Sequence, residues 1–223
     1  MTDTTYALYP VFRRRPGFAE MDAEALDDAA QEVENLFKEW GDRVQVRGTY
    51  SCVGFRSDAD LFLWLVGSTP DDMQQALVEL RRTRAGRELD LTHTFLGVVK
   101  PAEFTPDHAP AFVKGEPPKR FLCVYPFVRT PEWYLLAKEE RGAMLAEHGI
   151  AGREFPEVLA NTTSAFGLGD WEWILAFEAD EADRLVDCIR RLRDAKARLY
   201  TKVEIPFVTG IRKDVRAALA DLA

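Results

Sequence analysis

His148 is one of three histidines in a chain of 223 residues, and its neighbourhood is chemically loaded. It closes a stretch with helical spacing, where the helix dipole favours an electron-rich or cationic imidazole. The same half of the chain holds Tyr125, Arg129 and three of the five tryptophans, Trp133, Trp171 and Trp173. One axial imidazole under an apolar, aromatic roof is a haem-type arrangement. Zinc would need three or four ligands, and the sequence offers no such set around His148. Beside this stands the plain reading of a helix-end histidine that satisfies its own backbone carbonyls. His93 lies in a strand-like run and reads as structural. His108 sits in a proline-rich stretch, where neither helix nor strand explains it.

The elements that position these residues are written twice. "LYPVFRR" at 8–14 returns as "VYPFVRT" at 124–130. Each copy ends a β-forming run and precedes a helical segment. The first helix spans about Asp22 to Trp40 and is stopped by Gly41; the second spans about Pro131 to His148 and is stopped by Gly149. Trp40 thus takes the place of His148, and only the second copy offers an imidazole. Two strand-like runs follow in each half, "TYSCVGF" and "LFLWLVG" against "TTSAFGL" and "WEWILAF". A further helix comes next, "PDDMQQALVELRRT" against "EADRLVDCIRRLRD", and then a closing strand, "THTFLGVVK" against "VEIPFVTGIRK". Gly54 to Gly97 spans 43 residues, as does Gly167 to Gly210.

The order β-α-β-β-α-β is the ferredoxin-like pattern. A sheet of that kind has helices on one face only, so two copies can cover each other's bare faces. The expected fold class is α+β: duplicated ferredoxin-like halves forming a dimeric α+β barrel within one chain. The expected divisions are a structural N-terminal half at 1–100, a connector at 101–119 with five of the twelve prolines, and a C-terminal half at 120–223 carrying the site.

Composition excludes several classes. Hydrophobic content of 47% and charged content of 30% describe an ordinary globular chain. No apolar run is as long as a membrane span, and the N-terminus lacks signal-peptide features. The net charge of −8 argues against a broad nucleic-acid surface, while local Arg and Lys clusters leave room for an anionic ligand. Cys52, Cys123 and Cys188 are odd in number and set in apolar surroundings. They read as reduced, buried thiols, which points to the cytoplasm.

"VYPFVRTPEWYLL", "EERGAMLAEHG", "GLGDWEW" and "ARLYTKVEIPFVTG" together resemble the coproheme decarboxylases of the chlorite dismutase-like family, in particular their actinobacterial branch. The resemblance covers nearly the whole chain and is densest from Phe121 to Gly210. It implies the duplicated barrel, assembly as a homopentamer, and transient contact with coproporphyrin ferrochelatase. It also implies a reaction, the hydrogen-peroxide-dependent oxidative decarboxylation of iron coproporphyrin III (coproheme) to haem b. Coproheme would be both substrate and redox centre, so no separate cofactor is required.

Residue roles follow from the same resemblance. His148 is similar to the family's proximal iron ligand and Tyr125 to its catalytic tyrosine. Peroxide oxidises the bound iron, and a nearby phenol can pass that oxidising power on. A tyrosyl radical removes a hydrogen atom from the β-carbon of a propionate, and loss of CO₂ leaves a vinyl group. Tyr9, the twin of Tyr125, reads as sheet packing. The spacing of His108 to Tyr125 resembles that of a distal histidine able to deprotonate peroxide or take the phenolic proton. Arg129 and Arg198 resemble propionate-contacting positions, where planar guanidinium groups suit carboxylates. Trp133 is close enough in sequence to Tyr125 to share or drain a radical, with core packing as the plain reading beside it. Lys114, Lys119, Arg120 and Arg153 are weaker candidates for which solvated surface charge is the default.

One departure from the wider family is informative. Chlorite dismutases carry an arginine seven residues before the glycine of their "GLDD"-like turn. Here that place is Ala160, with no arginine between Glu154 and Gly167, which disfavours chlorite decomposition. Three alternatives remain at this level: a haem-binding or delivery protein without turnover, a peroxidase of the same superfamily, and a haem-free binding module.

Overall fold

The computed structural model describes residues 4–101, 103–104 and 109–223, so His108 lies outside the described residues. The chain runs through β1 (Tyr6–Arg14), α1 (Ala23–Trp40), β2 (Val44–Ser51), β3 (Leu61–Gly67), α2 (Pro70–Leu80), α3 (Arg84–Arg87) and β4 (Leu89–Val98). Beyond the connector come β5 (Phe121–Arg129), α4 (Pro131–Leu135), α5 (Lys138–Gly152), β6 (Leu159–Ser164) and β7 (Trp173–Ala179). α6 (Ala182–Leu192), β8 (Thr201–Val203), β9 (Val208–Lys213) and α7 (Val215–Ala220) complete the order. The class is mixed α+β with antiparallel pairing. Two compact units are present. One joins the residues up to Val98 with Val208–Ala223; the other is Val99–Phe207.

In the first unit β1 lies between β4 and β3, β2 flanks β3, and β9 is added beyond β2. α1 begins where Asp22 accepts a hydrogen bond from Ala25 N at 2.8 Å, a cap worth about 1 kcal/mol. It ends at Gly41, whose φ of 51° suits a residue without Cβ. The layer between sheet and helices is filled. Leu8, Phe12, Leu63 and Leu65 from the strands meet Ala29, Val33, Trp40 and Met73 from the helices. Strand side chains alternate between faces. Tyr9 and its neighbour Trp64, with ring centroids 5.2 Å apart, therefore point away from these helices.

The second unit pairs β6 with β7, β7 with β5 and β5 with β8. Cys123, Tyr125, Phe127 and Arg129 alternate onto one face of β5, and Cys123 and Tyr125 share a cluster with Leu185 and Ile189 of α6. α6 is sharply amphipathic, its Leu185 and Cys188 buried beneath an arginine-rich outer face. Two expected elements are divided. The stretch expected as one helix from Pro131 to His148 is α4 and α5, because Leu136 and Ala137 adopt extended backbone between them. Gly149 does not stop α5, which continues to Gly152, so His148 lies in its closing turns and not at its end. "VEIPFVTGIRK" is interrupted between β8 and β9 at residues 204–207.

The described end of the connector is anchored by polar groups. Phe112 N donates to Asn161 Oδ1 at 2.9 Å, Asn161 Nδ2 donates to Glu178 at 3.1 Å, and Lys119 N donates to the other Glu178 oxygen at 3.1 Å. Asn161 and Glu178 are fully buried, where an unpaired carboxylate would be costly, so this segment is held to one position. None of the three cysteines forms a disulfide, and all three are buried. Among the described residues no helix is long and apolar enough to cross a membrane.

Candidate active site

A cavity of about 70 Å³ lies inside the second unit, between the β5–β7 face and helices α5 and α6. Tyr125, Phe127 and Arg129 come from β5, Leu175 and Phe177 from β7, and His148 from α5. Ile189 and Leu192 come from α6; Arg193, Arg198 and Glu204 from the segment that follows it. Strand pairing explains part of this gathering. Tyr125 is opposite Leu175 and Cys123 is opposite Phe177, so one face of two strands supplies phenol and apolar wall together.

Tyr125 is 3% exposed, stacked on Phe207 at 4.3 Å and edge-on to Phe177 at 5.9 Å. Burial pushes its phenol well above the ordinary pKa, so it stays protonated. Among the described residues no side-chain hydrogen bond contributes to that shift, and the residue lines the cavity. His148 titrates below its ordinary value, first because it is partly withdrawn from solvent and second because Arg129 is cationic nearby. The imidazole is therefore neutral near pH 7, with a ring-nitrogen lone pair available to a metal. The dipole argument for a cationic ring is outweighed by burial.

Arg129 is held between two aromatic faces, with its guanidinium carbon 4.7 Å from the Phe127 ring centre and 4.2 Å from that of Trp133. Its Nη1 donates to the Ala197 carbonyl at 2.7 Å and its backbone N to Glu172 at 2.7 Å. Burial lowers its pKa to about 10, which leaves it charged but poorly solvated. Such a cation favours a carboxylate partner. Arg193 pairs with Glu204 at 2.9 Å, and Arg198 also donates to Glu204.

Four residues singled out from the sequence, Tyr125, Arg129, His148 and Arg198, thus line one cavity. Trp133 does not line it. It is buried under Arg129 with Tyr200 at 5.6 Å, so its contact with the site runs through the guanidinium. His93 bonds to Asp58 at 3.0 Å in the first unit. Lys119 is tied to Asp180 at 2.9 Å. Sequence reasoning missed Arg193 and Glu204. The available signals were the basic run "RRLRD" directly after an apolar helix face, and a lone acid in "KVEIPF".

The residues fit an iron porphyrin: one neutral imidazole, several guanidinium groups and apolar walls. The cavity has room for a few water molecules. A broad planar ligand would occupy it together with its rim, where Leu199 is 78% and Ile205 65% exposed. Among the described residues no group of three or more His, Cys, Asp or Glu side chains could hold a metal ion.

Fold and site together define a class. Residues 26–213 match the chlorite dismutase family, and the chain belongs to that family. The fold is that of solved chlorite dismutases. A variant of the Candidatus Nitrospira defluvii enzyme superposes with a TM-score of 0.89 at 23% identity, covering 100% of this chain and 96% of that one. Among curated proteins, the coproheme decarboxylase of Mycolicibacterium smegmatis is 46% identical over 97% of this chain and 94% of its own length. A coproheme decarboxylase of Thermus thermophilus is 31% identical over 67% of this chain and 66% of its own.

Proposed function

We propose that this protein is a coproheme decarboxylase acting in haem synthesis. The observation that carries the reading is the gathering, in one cavity, of a buried phenol, a neutral imidazole and guanidinium groups, in a chain 46% identical to such an enzyme. His148 ligates the substrate iron. Arg129 and Arg198 hold propionate carboxylates, and Phe127, Leu175, Phe177 and Ile189 exclude water from the macrocycle. Trp133 fixes Arg129 by stacking.

The bound iron supplies redox chemistry with hydrogen peroxide as oxidant. Each propionate that becomes a vinyl group gives up two electrons and one CO₂, and peroxide takes up the electrons to leave as water. Tyr125 carries one-electron chemistry to the propionate as a tyrosyl radical, which abstracts a β-hydrogen atom. Its raised pKa means that oxidation must be coupled to loss of the phenolic proton. His108 is our candidate to receive that proton and to deprotonate peroxide.

We further read the architecture as duplicated ferredoxin-like halves forming a barrel within the chain, the C-terminal half carrying the site. A homopentameric, cytoplasmic enzyme is our reading of its assembly and location. Mixing the purified protein with coproheme and peroxide tests the function. Chromatography is expected to show sequential loss of two propionates through a three-propionate intermediate. Unchanged porphyrin would leave a binding protein, and bleached porphyrin an unproductive peroxidase.

A further inference from the structure

Among the described residues lining the cavity, Glu204 is the one acidic side chain, and it holds two of the arginines there. Arg193 donates to it at 2.9 Å, and Arg198 donates to the same Oε2 atom. The Glu204 side chain is 20% exposed, against 37% and 38% for the two arginines. Arg193 follows α6 directly, whereas Glu204 follows β8, so the three side chains bridge separate segments at the cavity edge. Their chain neighbours Leu199 and Ile205 are largely exposed and apolar, unlike the partners of an ordinary surface ion pair. A lone carboxylate gripped by two guanidinium groups imitates what a propionate would offer at this place.

We propose that Glu204 is a built-in stand-in for a substrate carboxylate, which positions Arg193 and Arg198 in the ligand-free protein and gives them up to a propionate on binding. When that propionate becomes a vinyl group, its negative charge is lost with departing CO₂. Two partly desolvated guanidinium groups without an anion are unfavourable, so Glu204 takes them back. The exchange makes and breaks only ion pairs and moves no electrons. It weakens binding of a substrate with four carboxylates, and it leaves both arginines paired when a product with two is bound. The inference rests on the reading of this cavity as a coproheme site.

Iron-free porphyrins separate recognition from both iron ligation and turnover. Coproporphyrin III has four carboxylates, and protoporphyrin IX has two with vinyl groups at the other positions. Fluorescence titration of the full chain with each gives affinities for wild type, Glu204→Gln and Glu204→Asp. Because Glu204→Gln removes the competing charge, coproporphyrin III should bind about three- to tenfold tighter, while protoporphyrin IX stays within about twofold of wild type. Glu204→Asp, which keeps the charge, should restore the wild-type ratio between the two. Arg193→Gln is the second variant, expected to weaken coproporphyrin III severalfold and spare protoporphyrin IX.

Equal shifts for both porphyrins, no shift, or weaker coproporphyrin III binding in Glu204→Gln would overturn the stand-in role and leave Glu204 a structural clip. The expected ratios in a wild-type protein that fails to decarboxylate coproheme with peroxide would support the exchange and sink the catalytic reading alone.

Discussion

The two units place a sheet against helices and fill the space between in opposite ways. In the first, Leu8, Phe12, Leu63 and Leu65 meet Ala29, Val33, Trp40 and Met73 in a closed apolar layer. Trp40 completes it by donating its indole N–H to Glu79 at 2.8 Å, beside the Arg43–Glu79 ion pair. In the second, α5 buries only Ala151 among its residues, and a cavity remains beneath it. A packed layer contributes stability, about 1.5–3 kcal/mol for each large apolar side chain fully buried. An unfilled layer forgoes that contribution and gains a place for a ligand. The difference teaches that the second unit lacks part of a core which its substrate is suited to supply.

Loss of the phenol should give the largest effect. Tyr125→Phe keeps the ring stacked on Phe207 and Phe177, so coproheme binding should persist while decarboxylation falls about a thousandfold or more. Coproheme titration followed by peroxide checks both halves of that outcome, and normal turnover would remove Tyr125 from the chemistry. Next comes the substitution that copies the first unit into the second. His148→Trp should fill the cavity as Trp40 fills its layer, lowering coproheme affinity about a hundredfold or more through lost ligation and lost space. Circular dichroism should show an intact fold, and retained affinity would mean that porphyrin binds elsewhere.

The reverse exchange should act on stability alone. Trp40→His removes a side chain that is 1% exposed, and should cost about 3 kcal/mol by urea unfolding without making a porphyrin site. A small loss would show that the first layer can relax, and that its filling is less specific than it looks. The smallest effect concerns Asp58 in the first unit. Hydrogen bonds from Arg56 and His93 hold its carboxyl well below the ordinary 3.8. A depressed carboxyl stabilises the fold above the unfolded-state value, and that contribution fades as pH falls through the folded-state value. Asp58 is 39% exposed at its side chain, so solvent screening limits the pair to about 1 kcal/mol or less. The urea midpoint of Asp58→Asn should sit slightly below wild type at pH 7, with the gap narrowing below pH 3.8. A gap constant down to strong acid would mean that charge at Asp58 does not contribute.

The repeated Tyr-Pro-x-x-Arg motif was legible as sequence but misleading as geometry. Tyr125 faces the helices of its unit, whereas in β1 it is Leu8 and Phe12 that do so and Tyr9 turns the other way. A shift of one residue reverses every side chain of a strand, and letter-for-letter similarity does not record it. Arg129 was easier to place, since four residues along a strand return to the same face as Tyr125. Arg193 and Glu204 were not legible, because their meeting depends on how the chain turns after α6 and on the break in the closing strand.

Sequence alone determined the alternation of helices and strands, the contrast between Trp40 and His148, and the supply of phenol, imidazole and guanidinium groups in one half. Local periodicity and capping are short-range properties, so they can be read from neighbouring letters. Tertiary structure alone decided that α5 leaves a cavity against the sheet, that Tyr125 lines it, and that Glu204 spans two arginines there. Those outcomes depend on the volume left between packed layers and on charges brought together from distant segments, which no local pattern encodes.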